Sequence, residues 1–229
     1  MGRDYSVIGR ALAAPARSAM LDLLMDGSAR PAGELAVAAR VKPSAASEHL
    51  AALVGAGLLR CDAHGRLRRY RIADPAIGRA LEQIGHLCAS TPVRSLRQSR
   101  EQRDLARARL CYDHLAGRLG VALTDALIER GWLEPADLRL TDVGEQGVAG
   151  RGIDLLPPRR STRPVTLSCR DWTERRPHLA GALGAAIARH LLDQEWVRRR
   201  QSGRGLDITA PGREGLLASW GVEVDRLAG

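Results

Sequence analysis

Residues 34–59, ELAVAARVKPSAASEHLAALVGAGLL, decide the fold. Pro31 opens a short helix through Ala39 with Leu35 and Ala39 turned inward, and Val41 anchors the turn after it. Pro43 then sits at the first position of another helix, where its missing N–H costs nothing. Along that helix Ala46, Leu50, Leu53 and Gly57 fall on one face. Ser44, Glu48 and Ala51 fall on the opposite face, at about 100° per residue. Two short helices joined by a tight turn therefore offer solvent a face of small and polar side chains.

Upstream, Leu12, Ala16, Met20, Leu23 and Leu24 recur at helical spacing around Pro15. Gly27 stands where a glycine would stop a helix over residues 15–25. Downstream, residues 58–61 and 67–72 read as two strands around Asp62-Ala63-His64-Gly65, with Arg66, Arg68, Arg69 and Arg71 on the returning strand. Helix, turn, helix and a basic hairpin in that order make a winged helix-turn-helix.

Residues 11–24 (ALAAPARSAMLDLL), 34–59 and 65–72 (GRLRRYRI) resemble the ArsR/SmtB family of bacterial repressors. The sharpest part is Ser47-x-His49-Leu50 followed by Gly55-Ala56-Gly57-Leu58. The resemblance spans residues 6–89 and implies a dimeric, operator-binding domain. Lys42 occupies the expected N-cap, where that family usually has Ser or Thr, and its cation could reach a phosphate. Ser44, Ala45, Ser47 and Glu48 would face base edges, Glu48 accepting from cytosine N4 and Ala45 touching a thymine methyl. His49 belongs to the same helix. Arg66, Arg68 and Arg69 are the expected phosphate or minor-groove contacts of the wing.

Composition agrees with this division. Of the 229 residues, 1–100 hold 15 Lys+Arg against 8 Asp+Glu, while the remainder hold 20 against 18, so most of the net charge of +9 is N-terminal. A basic part joined to a nearly neutral one suits a polyanion reader coupled to something that reads another signal. Within the strongly apolar segments the longest stretch free of charged residues is 49–59, well short of the ~18 residues a membrane span requires. No membrane partner is expected. Four cysteines, Cys61, Cys88, Cys111 and Cys169, are widely spaced without a CxxC and do not form a secreted disulfide framework, so the expected location is cytoplasmic.

The metal motifs of the resembling family are missing. Residues 31–41 hold no cysteine, and the helix expected over residues 74–89 has Pro75 and Ala76 after Asp74 and then only His86. Cys88 reads as packing at a dimer interface rather than as a ligand.

Residues 90–103 (STPVRSLRQSREQR) read as a linker that becomes helical toward Leu105. Beyond it lies an internal repeat. Residues 114–132 (HLAGRLGVALTDALIERGW) and 178–196 (HLAGALGAAIARHLLDQEW) match at 9 of 19 positions with an offset of 64. Leu140-Thr141 with Gly144 and Gly147 corresponds to Ile208-Thr209 with Gly212 and Gly215. Each unit, about residues 105–155 and 165–225, reads as a long helix, a hairpin starting at the tryptophan, and a short helix capped by Thr141 or Thr209. Gly117, Gly120, Gly181 and Gly184 are expected to let helices approach closely.

The repeat also carries chemistry. Cys111-x-Asp113-His114 is expected to place Cys and His on one helix face, and Cys169-x-Asp171 precedes His178. Were a pseudo-twofold axis to bring these ends together, Cys111, His114, Cys169 and His178 could bind a metal ion such as zinc. Their two thiols could equally take a trivalent arsenical or oxidise together. The same residues could also be purely structural.

The fold expected is mainly α with small β-hairpins. A winged helix-turn-helix over residues 1–89 is followed by the 90–103 linker and a C-terminal domain, 104–229, of two helix-hairpin-helix repeats. The function expected is a sequence-specific, effector-responsive repressor acting as a homodimer on double-stranded DNA, with a small effector as partner. Alternatives are a constitutive structural or partner-binding C-terminal module, or an enzyme using Cys111 and His114 as nucleophile and base. The latter lacks any accompanying oxyanion element, so no enzymatic activity is expected.

Overall fold

A computed structural model describes residues 2–65, 67–88, 95–153, 163–200 and 203–227. The chain divides into two compact units, residues 1–88 with 201–204 and residues 89–200 with 205–229.

The first unit begins with α1 (Ser6–Leu12) and α2 (Pro15–Leu24). Leu12 therefore closes a helix of its own instead of joining the face of the next. Pro15 disfavours helical backbone at the residue before it, and Ala14 is extended. Next come β1 (Arg30–Pro31), α3 (Ala32–Ala39) and α4 (Pro43–Gly55). Pro31 does not open α3 as its first residue. It is extended and pairs with Arg69, so the helix starts one residue later.

The turn between α3 and α4 has no glycine. Arg40 adopts the left-handed conformation at φ 55° instead, and the Val41 N–H donates back to the Ala36 carbonyl at 3.1 Å. At the other end of α4, Gly57 takes φ 73° and the Leu58 N–H donates to the Leu53 carbonyl, which stops the helix where the wing must begin.

The wing is β2 (Leu59–His64) and β3 (Leu67–Ile72), antiparallel with Leu59 opposite Ile72 and His64 opposite Leu67. The strand order is β1-β3-β2. A last helix, α5 (Pro75–Gly85), is capped by Asp74, whose carboxylate accepts from the Ala76 N–H at 2.7 Å. Met20, Leu24, Leu35, Ala46, Leu50 and Leu53 are fully buried and form the core expected of α2 to α4, whereas Ala39 is half-buried and Gly57, read on the inward face of α4, is exposed beyond its end because the helix stops at Gly55.

The second unit opens with α6 (Leu96–Arg107), β4 (Arg109–Cys111), β5 (His114–Ala116), α7 (Gly117–Glu129) and α8 (Asp142–Ala149). It continues with β6 (Leu167–Arg170), β7 (Pro177–Ala180), α9 (Gly181–Asp193), β8 (Val197–Arg199), β9 (Leu206–Ile208) and α10 (Ala210–Gly215). A π-helical turn over Leu216–Trp220 and a 3-10 turn over Val224–Leu227 close the chain. The linker expected over residues 90–103 falls partly outside the described residues. Its described part is already helical from Leu96, because the Ser95 hydroxyl accepts from the Gln98 N–H.

Two hairpins absent from the sequence reading, β4-β5 and β6-β7, precede the long helices α7 and α9. After Trp196 a three-residue ladder forms as expected, but after Trp132 only the single bridge between Leu133 and Leu140 is present. Thr141 and Thr209 cap α8 and α10 as read, each hydroxyl accepting at 3.0 Å from the N–H three residues on.

The glycines act differently from the expectation. Gly117 and Gly181 turn strand into helix at φ 73° and 84°. A Cβ on Gly117 would lie 2.6 Å from the Ala106 carbonyl oxygen, and one on Gly120 would lie 2.5 Å from that of Leu115. What these residues admit is the backbone of the preceding helix and strand, not a facing helix.

The helices and hairpins interlock: α7 packs on β7, α9 on β5, and β5 lies beside β7. The Leu179 N–H reaches across to donate to the Thr124 hydroxyl at 2.9 Å. Leu119, Leu127, Leu183, Ile187, Leu191 and Trp220 lie in the core beneath.

Candidate functional site

Two groups of residues carry chemistry, one in each unit. In the first, α4 turns Ser44, Ser47 and Glu48 to solvent while Ala46 and Leu50 face the core, as its periodicity requires. The Ser47 hydroxyl donates to the Pro43 carbonyl at 3.1 Å. Lys42 is exposed at the N-cap with no side-chain cap of its own, which leaves its ammonium at the helix entrance. Ala45 and His49 are half-buried, and His49 Nδ1 lies 3.4 Å from an Arg17 guanidinium nitrogen. His49 therefore leans back toward α2 more than outward.

On the wing, Arg68 and Arg69 are exposed, and one Arg69 nitrogen donates to the Ala29 carbonyl at 3.3 Å. Arg66 lies outside the described residues. Arg71, also on β3, is drawn 2.7 Å from an Asp62 carboxylate oxygen on the paired strand.

In the second unit, Cys111 and His114 are not on a helix. They are opposite residues of the β4-β5 hairpin, joined by a two-residue turn with Tyr112 at φ 62°. A turn in which the chain reverses between Cys and His brings them together as directly as one turn of helix would. The sequence reading was misled because a three-residue strand shows no alternation. Cys169 and His178 are likewise opposite residues of β6-β7, across a longer loop.

Because β5 and β7 are neighbours, the two Cys–His pairs meet. One potential ligand atom from each of Cys111, His114, Cys169 and His178 lies within 4.8 Å of every other, and all four side chains are buried. The two Sγ atoms are 3.8 Å apart, and the imidazoles stack with centroids 5.1 Å apart. Around them lie Ala116, Ala180 and Leu167.

The aspartates stand behind this cluster. Asp113 is 3.3 Å from His114 Nδ1 and is held by two hydrogen bonds from Arg163, at 2.6 and 3.0 Å. Burial would raise its pKa, but His114 and Arg163 outweigh that and hold it at about 2. Asp171, with an oxygen 3.9 Å from His178 Nδ1, forms a fully buried ion pair with Arg109 at 2.9 Å. It also accepts from the Gly117, Thr173 and Glu174 N–H groups. The Arg109 guanidinium in turn sits 4.8 Å from the centre of the Trp172 ring.

Within the cluster, burial disfavours a charged His114, but the neighbouring Asp113 carboxylate and Cys169 sulfur raise its pKa. The Cys169 pKa is lowered first by Cys111 and then by His114 and His178, against burial. Three ring nitrogens, His114 Nε2 and both of His178, are buried without a hydrogen-bond partner among the described residues.

The sequence reading named all four cluster residues but missed Arg109 and Arg163. No spacing singles out either arginine, since both reach their aspartates from distant positions. Cys61 is half-buried on the wing, and Cys88 is exposed at the end of the first unit.

A helix-turn-helix domain family matches residues 12–62. The HTH-type transcriptional regulator YdfF of Bacillus subtilis is 41% identical over 215 residues, covering 93% of this chain and 95% of its own. The HTH-type transcriptional regulator CmtR of Mycobacterium bovis is 42% identical over 77 residues, 34% of this chain and 64% of its own. Among solved structures, the cadmium metal-sensor CmtR of Mycobacterium tuberculosis aligns at 36% identity with a TM-score of 0.32, over 39% of this chain and 93% of that one. The winged helix-turn-helix domain of Mb0332 from Mycobacterium bovis aligns at 30% identity with a TM-score of 0.33, over 37% and 88%. The similarity to YdfF runs through both units.

Proposed function

The chain belongs to the HTH-type transcriptional regulators, with an ArsR-type winged helix at its N-terminus, and on that premise we propose that it is an effector-responsive repressor whose effector site is the Cys111, His114, Cys169 and His178 cluster. The observation that carries this reading is the convergence of those four buried side chains in a unit separate from the DNA-binding one.

Residues 1–89 are the DNA-binding and dimerisation domain, and 104–229 the sensor. In the first, α4 enters the major groove as a homodimer binds a double-stranded operator. Ser44, Ala45, Ser47 and Glu48 approach base edges, His49 buttresses α4 against α2, and Lys42 meets a phosphate. Arg66, Arg68 and Arg69 of the wing add phosphate or minor-groove contacts.

The C-terminal unit is a duplicated helix-hairpin-helix. Support comes from the offset of 64 shared by His114/His178 and by the starts of the two 13-residue helices, Gly117–Glu129 and Gly181–Asp193. Each copy contributes half of the cluster.

Regulation is then a coupling free energy. An effector that favours the DNA-incompetent state weakens operator affinity by the factor through which operator weakens effector binding. The test is operator affinity, with and without thiol-reactive agents, Zn(II) or arsenite, for wild type, Cys111→Ser and Cys169→Ser. The expected result is a response in wild type that both variants lose while retaining effector-free affinity. The two losses should not add, since either change dismantles one site. Wild type indifferent to every agent would exclude the cluster as effector site.

A further inference from the structure

We propose that Cys111, His114, Cys169 and His178 bind one zinc(II) ion in a closed, tetrahedral Cys2His2 site that ties the two hairpins together. The assignment rests on the sensor reading for its regulatory meaning, but its geometry stands separately.

Distances come first. Two Zn–S bonds of about 2.3 Å at the tetrahedral angle place their sulfurs about 3.8 Å apart, and the two Sγ atoms are 3.8 Å apart. A disulfide would require them at about 2.05 Å. Two imidazoles bound to one ion through bonds of about 2.0–2.1 Å keep their ring centres roughly 5 Å apart, against 5.1 Å here. All four potential ligand atoms lie within 4.8 Å of one another, so a modest inward adjustment completes the shell.

Three buried imidazole nitrogens lack a hydrogen-bond partner among the described residues. His114 uses Nδ1 toward Asp113, which leaves Nε2 for the cluster, and that atom has no hydrogen-bond partner. Neither nitrogen of His178 has one. Buried polar atoms are seldom left unsatisfied, and an ion supplies what these need. Asp113, fixed by two hydrogen bonds from Arg163, then stands as the carboxylate that orients a ligating imidazole from behind.

The ligand set also selects the ion. Two thiolates balance a divalent charge, so the filled site is neutral among Ala116, Ala180 and Leu167. Two sulfurs and two imidazole nitrogens in a tetrahedron suit zinc, whereas hard cations prefer oxygen ligands. As two Zn–S bonds form, two thiol protons pass to buffer and the ion remains Zn(II). No open position is left, so the site is of the structural kind. Each hairpin contributes one Cys and the His opposite it, and bound zinc therefore cross-links β4-β5 to β6-β7.

The test uses the full chain, reduced and freed of metal, titrated with cobalt(II) chloride and then zinc chloride. The expected result is the intense visible spectrum of tetrahedral cobalt with thiolate charge transfer, saturating at one ion per chain and bleached by zinc. In parallel, zinc should slow alkylation of Cys111 and Cys169 by at least about tenfold while Cys61 and Cys88 react at an unchanged rate. Asp113→Asn, which keeps all four ligands, should bind zinc about 10–100-fold more weakly.

A pale octahedral cobalt spectrum, or four thiols that alkylate alike with and without zinc, overturns the assignment. Both are read on wild type, so a variant that fails to fold does not spare the proposal. Operator affinity in the same samples separates this inference from the sensor reading. Tetrahedral zinc that leaves operator affinity unchanged upholds the site and removes its sensing role. A protein that binds no cobalt yet responds to arsenite or an oxidant overturns the zinc site and upholds the sensor.

Discussion

At the scale of single residues, the buried pair of Arg109 and Asp171 has the most at stake. Both side chains are fully excluded from solvent, and Asp171 also accepts hydrogen bonds from three backbone N–H groups. Such a pair contributes little over a well-packed apolar replacement, but breaking it strands a charge. Asp171→Ala is therefore expected to destabilise the C-terminal unit by about 3–5 kcal/mol, read from urea unfolding, and Asp171→Asn by less because it keeps part of the hydrogen-bond network. Burial acts to raise the pKa of Asp171. The Arg109 charge and the hydrogen bonds from Thr173, Glu174 and Gly117 overcome it and lower the value. A carboxylate whose pKa is lower folded than unfolded contributes stability that is complete above its unfolded value, about 3.9, and lost as pH falls below it. Melting temperature should thus drop between about pH 5 and lower values more steeply in wild type than in Asp171→Asn. Equal slopes would show that this carboxylate does not carry the acid sensitivity.

At the scale of elements, the proposed DNA binding divides between α4 and the wing. Exchanging Ser44 or Glu48, both exposed, should change base preference in a selection experiment, at about 1–3 kcal/mol where a good bidentate contact is lost. Recovery of the wild-type site by both variants would remove them from the reading face. Arg68 and Arg69, by contrast, should matter to every sequence alike. Each lost phosphate contact is expected to flatten the salt dependence of affinity by up to ~0.9. Arg71→Ala should flatten it less, because that guanidinium is drawn to Asp62. Binding isotherms over a salt series distinguish the three. In the second unit the junction from β5 to α7 depends on Gly117, at φ 73° with a backbone carbonyl where a Cβ would be. Gly117→Ala should lower the melting temperature, since the new methyl meets backbone and not a side chain that could move aside. An unchanged melting curve would mean that the junction can relax.

At the scale of the whole molecule, the expected assembly is a twofold dimer. Tyr5 and Val7 of the N-terminal segment, and Ile84 and Leu87 at the end of α5, are exposed apolar side chains in the first unit. They flank the winged helix in sequence, as the dimerising helices of the resembling family do. A twofold dimer should sediment as such without DNA and protect a pseudo-palindrome whose half-site centres lie about 10 bp, or a multiple, apart. Leu87→Glu should shift the equilibrium toward monomer, and a strictly monomeric wild type at micromolar concentration would contradict the dimer. Among the described residues no helix is long and apolar enough to cross a membrane.

By itself the sequence determined the elements whose physics is local. The buried stripe of Leu50 and Leu53, the proline at the start of α4 and the threonine caps at 141 and 209 are legible because each depends on neighbours within a few residues. It also revealed the offset of 64 between the long helices and the four residues of the cluster. Their backbone setting it did not reveal. Strands of three and four residues are too short to show alternation, and the turn at Tyr112 lacks the glycine or asparagine that usually marks a left-handed backbone. Tertiary structure alone decided that Cys111 meets Cys169 at 3.8 Å, that Arg109 reaches Asp171, and that Arg163 braces Asp113. Those contacts join residues 50 to 62 positions apart, and only the packing of one hairpin beside another closes that distance.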